Sequence, residues 1–183
     1  FADLAYLPIK SEFIHYVVDD YPLRLIALDT VHPGRVGGVL CEDRLEWLEH
    51  KLSINTDKPT IILMHHPPFK TGIEYMDRTG LANATSFADI VSKNNQIRLI
   101  LCGHVHRPIQ TNWSGAAVMT APATAHQISL ELRSDEQASR IMEPPAIYLH
   151  LWGPGGLISH ISYIGDYRAC SPFSAGYLAS NRN

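Results

Sequence analysis

Two short histidine clusters stand out in this 183-residue chain: His65-His66-Pro67-Pro68 and Gly103-His104-Val105-His106. Neutral imidazole is the commonest side-chain ligand for zinc, iron and other borderline transition metals. Each cluster directly follows a short, continuous apolar run, Thr60 to Met64 and Ile97 to Cys102. Such runs are expected of buried strands. The carboxyl ends of strands in an open α/β sheet are where ligand sites lie, so both clusters are expected at one edge. In a regular strand His104 and His106 would face the same way. On a loop freed by Gly103 they can instead reach two neighbouring points, such as two metal ions. Pro67 and Pro68 stiffen the turn after His65 and hold its aim. A histidine at a strand end is ordinarily a surface or capping residue. Two clusters, each behind an apolar strand and separated by one helix, favour a metal site.

The elements that must position these residues follow from periodicity. Phe13–Val18 and Leu23–Leu28 flank the turn Asp19-Asp20-Tyr21-Pro22 and predict a hairpin. Thr30 to Gly38 is a loop. Glu42 to Leu52 has Leu45, Leu48 and Leu52 at helical spacing, with its charges expected on a solvated face. Phe69 to Thr85 is irregular and polar. Ser86 is expected to cap a helix through Asp89, with Phe87, Ile90 and Val91 on one face. Ala116–Thr120 and Ile128–Leu132 predict strands, and Ser134–Arg140 an exposed polar stretch. Ala146–Trp152 and Leu157–Ile164 flank Gly153-Pro154-Gly155-Gly156 as a second hairpin. The tail after Gly165 is aromatic and irregular. No linker or repeat divides residues 1–183, so one α/β layered unit is expected.

Composition narrows the function classes. Hydrophobic residues are 45% and charged residues 18%, a globular balance that excludes a disordered tail. The net charge of -3, without a basic block, argues against a nucleic-acid polymer as partner. No apolar run approaches the roughly 20 residues of a membrane span. Three widely spaced cysteines, Cys41, Cys102 and Cys170, argue against a disulfide framework and for a reducing, cytoplasmic setting. Cys102 lies within an apolar run and is expected to be buried and inert.

The segments "IILMHHPPF" and "LILCGHVHRP" resemble the last two metal-binding motifs of the calcineurin-like metallophosphoesterases. "RLIALDTVHPG", "EWLEHKL", Met76-Asp77 and "TAHQI" (Thr124 to Ile128) are similar to the branch of bacterial cyclic-nucleotide phosphodiesterases and glycerophosphodiesterases. The resemblance spans Arg24 to Ile164. It implies the C-terminal half of a four-layer α-β-β-α sandwich with a centre of two divalent ions, Mn, Fe or Zn, between the sheets. By position it implies that His65 and His104 ligate metal, that His106 ligates the other metal, and that His126 lies near the substrate phosphate. His66 is the less expected ligand. The implied activity is hydrolysis of a small phosphodiester, a metal-activated hydroxide attacking phosphorus.

The family's first three motifs, Asp-x-His, Gly-Asp with its bridging Asp, and Gly-Asn-His, do not match here. Asp-x-His and Gly-Asn-His are absent, and Gly165-Asp166 occurs near the C-terminus, out of order. Together with Phe1 at the start, this leads to the expectation of the C-terminal portion of a longer enzyme. Two cations about 3.5–4 Å apart need a bridging carboxylate. The three histidines are neutral, so an incomplete site, inactive alone, is expected. Association with the missing half or with another copy is expected too, since apolar faces and strand edges would otherwise stay open. Two other readings remain: a non-catalytic metal-binding or assembly module, and a phosphomonoesterase or nuclease of the same superfamily. Phe69–Thr85 and the C-terminal segment are the expected source of substrate choice. Tyr75, Tyr167 and Phe173 offer aromatic faces there, although packing is their commoner use.

Overall fold

The computed structural model describes residues 12–168. Its centre is a six-stranded sheet in the order β1-β2-β3-β4-β6-β5. The strands are β1 (Tyr16–Val18), β2 (Arg24–Leu28), β3 (Thr60–Met64), β4 (Ile97–Cys102), β5 (Ile109–Trp113) and β6 (Ala116–Thr120). β2, β3, β4 and β6 run parallel, and the two edge strands are antiparallel to their neighbours. The connections contribute α1 (Glu42–Ser53), α2 (Glu74–Asp77) and α3 (Ala84–Ser92).

Side-chain alternation sends the two faces of the parallel strands to different cores. Ile26, Leu28, Ile62, Met64, Ile100, Cys102 and Val118 pack with Leu48 and Leu52 of α1 and Phe87, Ile90 and Val91 of α3. Leu25, Ile61, Leu99, Leu101 and Met119 form a second cluster with Tyr148 and Leu157. Those two belong to the hairpin β9 (Ala146–Gly153) and β10 (Gly156–Tyr163), which covers the far face. Helices, sheet and hairpin make an α-β-β arrangement, the α/β class with C-terminal hairpins that the pattern predicts. Arg98 is skipped in the β3–β4 pairing, because Thr60 lies opposite Ile97 and Ile61 opposite Leu99. This bulge lets Ile97 and Leu99 face opposite cores.

Several local expectations are corrected. Ser86 is inside α3, whose N-cap is Asn83. Asn83 uses its side chain to bind Leu40, accepting from its N–H at 2.9 Å and donating to its carbonyl. The irregular segment 69–85 contains the turn of helix α2. The strand expected over Ile128–Leu132 is only β7 (Gln127–Ile128), paired with β8 (Arg140–Ile141). Beyond Ser129 the chain turns on local bonds between Arg133 and Glu131 and leaves Leu130 and Leu132 exposed. β5 was not anticipated: its polar, alternating sequence suits an edge strand rather than a buried run.

The charges of α1 are not all solvated. Arg44 is 3% exposed and donates to the carbonyls of Asp29 and Val31 at 3.1 and 2.9 Å, anchoring the loop after β2. Arg24, 2% exposed, donates to the carbonyls of Lys51 and Ile54 at 2.8 and 2.7 Å. It thereby satisfies carbonyls that the end of α1 leaves without helical partners. Cys102 is buried as expected, and burial pushes its thiol pKa far up. Phe173 and Cys170 lie outside the described residues.

Candidate metal centre

β3 and β4 end level with one another, Met64 opposite Cys102. One more backbone bond, from Gly103 N to the His65 carbonyl at 3.0 Å, extends the pairing past the strands. It sets the two histidine segments side by side. Gly103 keeps the approach close, because a Cβ there would lie 3.2 Å from His65 Nδ1, a tight contact that the ring would have to yield to. His104 and His106 both adopt positive φ, 68° and 52°. Such backbone is uncommon outside glycine and concentrates at functional sites. Between them Val105 is fully buried against Ile73 and Met76, which plugs the loop into the α2 segment. Thr120 closes the loop from behind: its hydroxyl donates to the Arg107 carbonyl at 2.6 Å and accepts from Ile109 N at 3.1 Å.

The ring nitrogens of His65, His66 and His104 include atoms that all lie within 4.8 Å of one another. The hydrogen bonds decide which of them are free. His66 is 5% exposed and has both nitrogens engaged. A carbonyl only accepts, so Nε2–H of His66 donates to Val36 O at 2.9 Å. Nδ1 then accepts from the Thr30 hydroxyl at 2.8 Å. His66 is thus a structural post, not an available ligand, even though it falls within the cluster. Its tight seat also explains Gly38, where a Cβ would come within 2.3 Å of His66 Nδ1.

The same reasoning assigns the other tautomers. Thr79 Oγ1 donates to the Met76 carbonyl at 3.1 Å. It therefore accepts from Nε2–H of His104 at 3.0 Å, which leaves the Nδ1 lone pair of His104 free. His106 donates from Nδ1 to the His126 carbonyl at 3.2 Å, which leaves its Nε2 free. His65 is exposed as a residue, but its ring packs against those of His66 and His104, which partly desolvate it, and it makes no hydrogen bond among the described residues. Hydrogen bonds of this kind orient ring ligands and fix which nitrogen faces a metal.

Electrostatics favour neutral rings. Burial, then repulsion from neighbouring histidines, lowers the pKa of His65 and takes that of His104 down to about 4. Burial also lowers that of His66. Unprotonated imidazole is the metal-binding form. The donor set therefore fits a divalent ion such as zinc. No carboxylate joins the histidines in the cluster among the described residues, so nothing there supplies the bridging charge of a two-metal centre.

The expected ligands are thus distributed. His65 and His104 lie together, with rings 5.2 Å apart. His106 is outside that trio and stands instead against His126, rings 5.0 Å apart. The holding residues Thr30, Thr79 and Gly38 were not singled out by sequence. Thr30 sits in the quoted "RLIALDTVHPG", but a lone hydroxyl carries no spacing signal. Thr79 is 25 residues from its partner.

The calcineurin-like phosphoesterase family model matches residues 6–108. Over 166 residues the chain is 41% identical to "Probable glycerophosphodiester phosphodiesterase GpdQ" of Arcobacter nitrofigilis, covering 90% of this chain and 61% of that protein. Over 104 residues it is 33% identical to the 3′,5′-cyclic adenosine monophosphate phosphodiesterase CpdA of Escherichia coli K12, covering 57% and 38%. The chain spans about three fifths of the length of the Arcobacter nitrofigilis relative and about half that of the glycerophosphodiester phosphodiesterase GpdQ of Enterobacter lignolyticus, to which it is 34% identical over 137 residues, 75% of this chain. Among solved structures, GAP50, the anchor in the inner membrane complex of Plasmodium, shares the fold. Its TM-score is 0.56 at 13% identity, covering 81% of this chain and 48% of that one.

Thr79→Val removes the hydroxyl acceptor for His104 Nε2–H. Zinc affinity, measured by competition titration, is expected to fall roughly 10–100-fold, with Thr79→Ser restoring it. ¹⁵N NMR should show the Nδ1–H tautomer of His104 rising in the valine variant. Unchanged tautomer and affinity would refute the assignment. A second expectation concerns pH in the metal-free chain. The folded pKa of His104, about 4, lies below the unfolded value of about 6.5. Between those values the unfolded state binds the proton more tightly, so this stabilisation is complete above pH 6.5 and is lost as pH falls towards 4. Urea midpoints at pH 7 and pH 4.5 should therefore drop more for the wild type than for His104→Gln.

Proposed function

This chain belongs to the calcineurin-like phosphoesterase family, and we propose that it forms the histidine-bearing part of a metal-dependent phosphodiester hydrolase. The observation that carries this reading is the juxtaposition of His65 and His104 at one sheet edge, with a free lone pair on His104 and local desolvation favouring the neutral form of both rings. When bound, a pair of divalent cations, Mn, Fe or Zn, supplies positive charge to the phosphoryl oxygens and activates water. His65 and His104 hold one of these ions and His106, through Nε2, reaches towards the other. No carboxylate joins the histidines among the described residues, so those that complete the centre are supplied from beyond them. His126 accepts from His106 through its carbonyl, which leaves its imidazole available to meet the substrate phosphate.

The substrate is a small diester, of the glycerophosphodiester or cyclic-nucleotide class that the relatives' names print. The -3 net charge supports a small substrate over a nucleic-acid polymer. No helix among the described residues is long and apolar enough to cross a membrane. The free thiols Cys41 and Cys102 support a reducing, cytoplasmic setting. Ile147, Leu149, Leu151 and Ile158, between 47% and 53% exposed on the hairpin, support association with further chain or with a second copy.

The test is hydrolysis of bis(p-nitrophenyl) phosphate by the natural polypeptide carrying this sequence, loaded with Mn²⁺. His65→Ala and His104→Ala are each expected to lower kcat/KM at least about 100-fold, the scale of several kcal/mol of lost charge stabilisation. Diester hydrolysis that persists in both variants, or wild-type activity confined to p-nitrophenyl phosphate, would overturn this reading.

A further inference from the structure

A cavity of about 750 Å³ opens beside the histidine cluster, between the 30–38 loop and the segment after β3. Its volume suits a small organic ligand. Its wall includes Thr79, which holds His104, and Gly38, which backs onto His66. A molecule lying in it would therefore be adjacent to the proposed metal ligands without touching them.

The lining has two parts. Pro67, Pro68 and Phe69 offer flat, apolar ring surfaces, the prolines buried and the phenylalanine half-buried. Arg35, Lys70 and Arg78 bring three cations to the same cavity. Against them stands Asp77, whose carboxylate is already taken up by its own loop: it accepts from Thr71 N and Oγ1 at 2.7 Å each and from Gly72 N at 3.1 Å. The side chain of Arg35 has no hydrogen-bond or ion-pair partner among the described residues. Among the described residues Lys70 reaches only the Asp77 carbonyl, at 2.9 Å. Arg78 pairs with Glu74 at 2.7 Å, but both are exposed and such pairs are weak. The cavity thus combines an apolar wall with cationic groups that no local anion fully neutralises.

We infer that this cavity receives the alcohol portion of the diester and selects alcohols that carry an anionic group of their own, a phosphate or a carboxylate, on a compact apolar body. This rests on the hydrolase reading for the word "diester". The binding itself does not, and it is measurable on the metal-free chain. The cations would meet the oxyanion by charge-assisted hydrogen bonds, and the ring wall would take the apolar body.

The probe is phenyl phosphate, titrated into the metal-free protein at low salt and followed by calorimetry and amide chemical shifts. Phenol and inorganic phosphate each carry one half of the recognition. Phenyl phosphate is expected to bind at least tenfold more tightly than either and to shift the amides of Gly37, Leu81 and Ala82. The exposed pair Arg35→Ala with Arg78→Ala should weaken it at least tenfold, whereas removing two charges at the exposed Lys93 and Arg98, before and at the N-terminal end of β4, should not. Benzoate binding with the same dependence on Arg35 and Arg78 would extend the site to carboxylates. Benzoate failing where phenyl phosphate succeeds would remove carboxylates from the inference. Phenyl phosphate no tighter than inorganic phosphate, or indifferent to the arginine substitutions, would overturn it. Loss of diester hydrolysis with this binding intact counts against the hydrolase reading alone, and the reverse counts against the cavity alone.

Discussion

The site depends on one backbone register. β3 and β4 are paired in parallel so that Met64 and Cys102 end together, and the Gly103 N–H to His65 carbonyl bond carries that pairing one step past the sheet. Because side chains alternate strictly along a strand, a one-residue slip would exchange the two cores and carry the histidines out of line with each other. The two buried faces forbid that slip. Ile62 and Ile100 are committed to the helices, and Ile61 and Leu99 to the hairpin.

Beyond the sheet, control passes from packing to hydrogen bonds. Thr30 and Val36 hold His66, Thr79 holds His104, the His126 carbonyl holds His106, and Thr120 closes the loop behind them. The positive φ angles of His104 and His106 store local strain, and the burial of Val105 between them is the compensating interaction. Desolvation in the cluster also weakens the proton as a competitor for His65 and His104. Register, tautomer and charge state thus point the same way, towards ligands prepared before any metal arrives.

How much of this could be read from sequence follows from the range of each interaction. The parallel strands were legible because a continuous apolar run has one main explanation, and the histidines because they stand at the ends of two such runs. α1 was legible from the spacing of Leu45, Leu48 and Leu52. The buried roles of Arg24 and Arg44 were not, since their partners are carbonyls and a carbonyl leaves no mark in a sequence. The same holds for Thr79, whose partner is distant in the chain. Ser86 looked like a cap because it precedes Asp89 by three residues, yet Asn83 holds that position while its side chain serves Leu40. His66 and His65 are adjacent in sequence, and only the bonds to Thr30 and Val36 separate a post from a ligand.

Charge is what the histidine side lacks. Imidazoles orient a cation but do not offset the repulsion between two, and no carboxylate joins their cluster among the described residues. The central claim is therefore that the described residues present oriented, neutral ligands without the bridging anion. Elemental analysis of metal bound per chain, after removal of loosely held ions, tests it most directly. One ion or fewer per chain is the predicted result, abolished by His104→Ala. Two tightly held ions per chain in a monomer would contradict it, because the bridging charge would then have to come from within the chain.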